Sequence, residues 1–131
     1  MRSELAAGQK RSHWMWFIFP QIQGLGSSPM AQRYAISGPE EASAYLLHPV
    51  LGSRLRDCTA LVNKVGGRSI TEIFGWPDNL KFHSSITLFA WVASCSPGDQ
   101  TTGNQVFSKA LSRYFAGKPD QATIERLPPE P

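Results

Sequence analysis

The 131-residue chain is poor in cysteine, in long apolar runs and in clustered positive charge, and each shortage removes a class of protein. Two cysteines, Cys58 and Cys95, are too few for a disulfide scaffold; as buried thiols they point to a reducing, cytoplasmic setting. No apolar run exceeds six residues; one of these, Trp14 to Phe19, is closed by Pro20, and all fall far short of the roughly 20 residues of a membrane helix. The opening Met1-Arg2-Ser3-Glu4 is polar and lacks the apolar stretch of a secretory leader. The net charge is +3 and the pI about 9.1, but Lys10-Arg11 is the one adjacent basic pair. With no basic run to track a phosphate backbone, the sequence argues against a nucleic-acid partner and leaves room for a small anionic one.

Metal-ligand spacing is missing as well. The three histidines and two cysteines form neither a C-x-x-C nor an H-x-x-x-H pattern, so no metal site is expected. No cofactor is indicated either. Gln23-Gly24-Leu25-Gly26-Ser27-Ser28-Pro29 suggests a dinucleotide fingerprint, yet Pro29 stands where the third glycine belongs, and no βαβ pattern surrounds it.

What is present is aromatic mass: four Trp, seven Phe and three Tyr, enough large side chains to build one core in a chain of this length. The expectation is a single all-α domain over residues 1–131, a compact orthogonal bundle of short helices. Residues 3–8 read as a helix end stopped by Gly8. Trp14 to Phe19 fits a buried strand by propensity or a short buried helix between Ser12 and Pro20, and the shortage of partner strands favours the helix. Ser28-Pro29 opens a helix to about Ile36, and Pro39 opens another with Glu40 and Glu41 in its first turn. Leu51, Leu55, Cys58, Val62 and Val65 recur at helical spacing, with Gly66-Gly67 as the stop. Ser69 and Glu72 form a capping box. A helix from about Asn79 to Ala93 turns Phe82, Ile86, Phe89, Ala90 and Ala93 inward. Residues 94–103 read as a surface loop. Asn104 caps a last long helix with Phe107, Ala110, Leu111 and Tyr114 inside, Pro119-Asp120 leads into one more turn, and 128–131 is a frayed tail.

Several segments together carry a resemblance: Lys10-Arg11-Ser12-His13-Trp14-Met15-Trp16-Phe17-Ile18-Phe19-Pro20-Gln21; Gly24-Leu25-Gly26 with Met30-Ala31 and Tyr34; Tyr45-Leu46 with His48-Pro49 and Leu51-Gly52; and Ile73-Phe74-Gly75, Pro77-Asp78, Leu80-Lys81-Phe82, Ser84-Ser85 and Thr87-Leu88-Phe89. The chain resembles, over about residues 4–127, the bacterial and fungal domain of unknown function number 1810. The resemblance implies a mainly helical fold and no established activity. Some members are labelled calpastatin; calpain inhibitors are disordered, whereas this composition is globular. Members begin with a further amphipathic helix before the position of Glu4-Leu5. The expectation is that this chain lacks it and that residues 1–9 are its remnant, leaving an apolar groove for a second copy or the chain's own tail to cover.

Two constellations could carry chemistry. Lys10, Arg11, His13, Trp16 and Gln21 mix cations, an imidazole and an aromatic ring in a segment whose Trp14, Phe17 and Ile18 read as core. On the later helix, Lys81 stands with Asp78, Ser84 and Ser85 at helical spacing. With Tyr34, these residues are expected to line a pocket for a small anionic or nucleotide-like ligand. An enzyme using His13 as acid or base with Lys81 or Ser84 is one alternative. A protein-interaction module docking on an apolar groove is another. The simpler reading of Ser84 and Ser85 is back-bonding to helix carbonyls, and of His48, before Pro49, a structural role.

Overall fold

Prolines and capping residues place most helix starts where the sequence puts them. A computed structural model describes residues 2–9, 15–25, 29–94 and 104–127. In chain order the helices are α1 (Arg2–Ala6), α2 (Met15–Ile18), α3 (Pro29–Arg33), α4 (Pro39–Leu47), α5 (Leu51–Lys64), α6 (Ile70–Phe74), α7 (Asp78–Ser94), α8 (Gln105–Phe115) and α9 (Gln121–Ile124). The domain is all-α. Among the described residues there is no strand, only an isolated parallel bridge between Ile22 and Ile36. No helix among them is long and apolar enough to cross a membrane. The expectations for Lys10, Arg11, Ser12, His13, Trp14, the Ser28 cap, the 95–103 loop with Cys95, and the 128–131 tail lie outside the described residues.

The aromatic segment takes the helical alternative, as α2, with Met15, Ile18 and the following Phe19 buried. The Pro29 helix stops at Arg33 rather than running to Ile36. The reason is non-local: the Ile36 amide donates to the Gln21 carbonyl (2.8 Å), and its carbonyl accepts from Gln23 (2.7 Å). Those bonds hold Ile36 extended, and it is buried there. Asn104 does not cap α8. Its backbone is helical and its side chain makes no cap bond; instead its Oδ1 lies 3.5 Å from the Arg56 guanidinium. The Ser69–Glu72 capping box is formed in both directions.

Helix α7 is the axis of the core. Of the expected one-sided face, Phe82, Ile86 and Phe89 are buried and Ala90 and Ala93 half-buried, but Ser84, Ser85, Thr87, Leu88 and Val92 are buried as well. A helix buried on several sides needs neighbours on several sides, and α4, α6, α8 and α9 all pack on α7. Aromatic rings join these layers. Phe82 lies 5.1 Å from Phe19 and 4.8 Å from Phe74, and Phe89 lies 5.5 Å from Tyr45 and 5.9 Å from Phe107. Helix α5 runs beside α8, which closes its C-terminal end: Arg113 donates to the Val65 carbonyl (2.7 Å) and the Tyr114 hydroxyl donates to that of Val62. This supplies acceptor partners that a helix end otherwise lacks.

Helices α4 and α5 cross at Gly52, where the Leu46 carbonyl oxygen would lie only 1.9 Å from an added Cβ. That carbonyl also accepts from Arg56 (3.1 Å). The close crossing fixes the end of α4 against the start of α5, and with it the His48 turn between them.

Candidate functional site

The sequence-selected residues separate in space and in use. The aromatic segment meets α7 where Phe19 packs on Phe82, one residue from Lys81. Trp16 falls within α2, but its side chain lies outside what is described. Gln21 is half-buried, and its carbonyl holds Ile36 in the bridge. The Lys81 ammonium lies 3.5 Å from the Asp78 carboxylate. Among the described residues, no group of three or more His, Cys, Asp or Glu could hold a metal ion.

Ser84 and Ser85 differ sharply. The Ser84 hydroxyl lies 2.9 Å from Asp120 Oδ2 and 3.1 Å from the Leu80 carbonyl. Its single proton serves one acceptor at a time, and the carboxylate is the stronger. Asp120 is the N-cap of α9, and the same oxygen accepts from the Thr123 amide (3.2 Å) and hydroxyl (2.6 Å). Around this centre, Thr87 Oγ1 accepts from the Asp120 amide (2.9 Å). One turn away, the His83 ring stacks on Phe115 (3.8 Å between centroids) and its Nε2 donates to the Lys118 carbonyl (2.8 Å). The polar face of α7 thus docks the chain's last segment. Ser85 faces elsewhere: it is fully buried, and its hydroxyl has no hydrogen-bond partner among the described residues. Leaving such a group unsatisfied costs about 1–3 kcal/mol.

Tyr34 belongs to a different place, a cleft of about 410 Å³ between the end of α3, α4 and the start of α5. Its apolar walls include Ile36, Ala44 and Leu51, and two tyrosines, Tyr34 and Tyr45, frame it. Its polar groups are Arg33, Glu41 and His48. The Arg33 guanidinium lies 5.8 Å from the Tyr34 ring centroid, a cation–π contact. Glu41 accepts the Ser37 amide through Oε1 (2.7 Å). His48 is structural in one sense, since its Nδ1 accepts the amides of both Val50 and Leu51 (3.1 Å each). An amide donor at Nδ1 requires a lone pair there, so the ring proton sits on Nε2 and makes it a donor. Burial pushes the Tyr45 phenol above its ordinary value, and the hydrogen bond and charge of Arg54 pull the other way without overcoming it.

Sequence reasoning selected Tyr34 of this cleft and missed Arg33, Glu41, Tyr45 and His48 as a group. Arg33 ends one helix, Glu41 caps the next, and His48 follows that. The Ile22–Ile36 bridge turns the chain between α3 and α4, and no local pattern signals it. Exposed apolar surface lies elsewhere too: Trp76 and Leu80, at the α6–α7 turn, are 76% and 52% exposed.

Comparison with known proteins places this arrangement in a lineage. Residues 1–127 match the family described as "Protein of unknown function (DUF1810)". No curated protein matches the chain. A solved structure, that of the conserved hypothetical protein Rv1873 from Mycobacterium tuberculosis, is 56% identical, with a TM-score of 0.87. The match covers 96% of this chain and 84% of that one. The chain belongs to the DUF1810 family.

Proposed function

We propose that this member of the DUF1810 family is a cytoplasmic small-molecule-binding domain whose ligand occupies the Tyr34–Tyr45–His48 cleft. The observation that carries the reading is the cleft itself. At about 410 Å³ it falls in the range of small-molecule sites, roughly 300–1,000 Å³, and it has their composition, mainly apolar with a few convergent polar groups. The cytoplasmic setting rests on the low cysteine content.

The test is a thermal-shift screen of nucleotides, sugar phosphates, amino acids and organic acids, followed by titration of Tyr34→Ala and His48→Ala variants. A ligand at 100 times its Kd stabilises by about 2.7 kcal/mol. The expected result is a hit whose shift Tyr34→Ala removes. Hits insensitive to both substitutions would overturn the cleft as the site.

A second reading keeps an anionic or nucleotide-like ligand at the junction of α2 and α7, with Lys81 and Ser85 as its described members. The fully buried hydroxyl of Ser85, unpartnered among the described residues, favours it. Ser85 shares a helical stripe with Phe82 and Phe89, and Phe82 meets Phe19 of the aromatic segment. A ligand whose shift survives Tyr34→Ala and disappears in Lys81→Ala and Ser85→Ala would favour this junction over the cleft.

A further inference from the structure

The cleft carries two opposite charges that do not meet. Beyond the Tyr34 ring, the Arg33 guanidinium has no ion-pair or hydrogen-bond partner among the described residues. Glu41 spends one carboxylate oxygen on the Ser37 amide and likewise makes no ion pair among them. The formal charge of the lining is therefore balanced, +1 from Arg33 against −1 from Glu41. His48 contributes a neutral donor, because its Nδ1 is held by two backbone amides.

This balance discriminates among ligands. A phosphate or a simple carboxylate gains Arg33 and is opposed by Glu41, and a simple amine meets the reverse. A molecule carrying both charges a few bonds apart gains from both. The apolar walls, Ile36, Ala44 and Leu51, then suit an aliphatic or aromatic substituent on that molecule.

We infer that the cleft binds an amino-acid zwitterion with an apolar side chain. Its carboxylate pairs with Arg33, whose planar fork suits two oxygens, and accepts from His48 Nε2. Its ammonium pairs with the second oxygen of Glu41, and its side chain lies on the apolar walls. The inference rests on the cleft being a small-molecule site and adds the class of molecule.

The experiment is an amide-resolved NMR titration of the full chain with L-leucine and L-phenylalanine, and in parallel with N-acetyl-L-leucine, L-leucinamide and adenosine monophosphate. Expected are shifts confined to residues 33–36 and 41–51 with the free amino acids, and affinities weaker by about fivefold or more for both capped analogues. In Glu41→Gln, whose amide oxygen can still accept the Ser37 amide, the gap between leucine and N-acetyl-leucine should close. Equal binding of N-acetyl-leucine or adenosine monophosphate at these residues overturns the zwitterion and leaves the cleft a ligand site. No shift there with either amino acid also overturns it, whatever the broader screen returns, and that screen judges the cleft separately.

Discussion

On α7, His83, Ser84 and Thr87 each meet a group of the 118–120 segment, whereas in the cleft Arg33 and Glu41 line the same space without pairing. Both regions hold charged and polar side chains on short helices. In the first, each hydroxyl and the imidazole has a protein partner at hydrogen-bond distance, and the result is a docked C-terminal helix. In the second, Glu41 Oε1 and His48 Nδ1 hold backbone amides, while the charges of Arg33 and Glu41 form no ion pair among the described residues. Residue type does not distinguish a structural polar face from a binding one; the count of partners does.

Gly52→Ala should break this comparison most severely, because it attacks the frame of the cleft. A methyl group there meets the Leu46 carbonyl oxygen at 1.9 Å, and both groups are anchored in helices, so α4 and α5 must separate. Overpacking of this kind costs typically 1–3 kcal/mol and occasionally more, and a backbone neighbour puts the expected loss at about 3 kcal/mol. Urea denaturation would read it as a lower midpoint. A variant with an unchanged midpoint would mean that the crossing is looser than described.

Asp120→Ala tests the α7 face alone. It removes the acceptor shared by Ser84 and two Thr123 donors, and loss of a cap plus a charged hydrogen bond should cost about 2 kcal/mol. Hydrogen exchange should quicken in residues 118–127, while ligand affinity at the cleft stays at the wild-type value. A fall in that affinity would show that the two regions are coupled and weaken the contrast drawn between them.

His48 divides between the two uses within one side chain. His48→Ala removes the acceptor of two amides at the start of α5 and should cost about 1 kcal/mol. His48→Asn retains an acceptor near the Nδ1 position, so it should recover most of that stability and still lose the Nε2 donor. The expected pattern is restored thermal stability with ligand binding still impaired. Recovery of both would leave His48 a capping residue and nothing more.

Local features of this fold were legible because their causes are local. Proline at the first turns of α3 and α4, the Ser69–Glu72 box, and the apolar spacing of α5 each act within a few residues. Three things were illegible because their partners are distant. Ile36 left its helix for hydrogen bonds with Gln21 and Gln23. Ser84 found a carboxylate 36 positions away, a partner that no spacing around it signals. Arg33, Glu41 and His48 share a cleft only because the chain turns between α3 and α4 and again at Pro49. Tyr34 was selected through family resemblance, and the structure supplies its neighbours.

The smallest expected effect, and the one that best separates burial from bonding in the cleft, concerns Tyr45. Burial raises its phenol above the ordinary tyrosine value of 10.0, more than Arg54 lowers it. Between 10.0 and the higher folded value, the native chain holds a proton that the unfolded chain has released. Stability from this group is therefore fully present below the unfolded value and declines as pH rises through the folded one. Tyr45→Phe should cost about 1 kcal/mol at neutral pH through the lost hydrogen bond to Arg54. The variant should then lose less stability than wild type between neutral and strongly alkaline pH, so the two urea midpoints converge. Because other groups titrate in that range, the difference between the two chains isolates Tyr45. Parallel curves would mean that its phenolate is as well accommodated in the cleft as in water, and the polar side of the cleft would then be wetter than its lining implies.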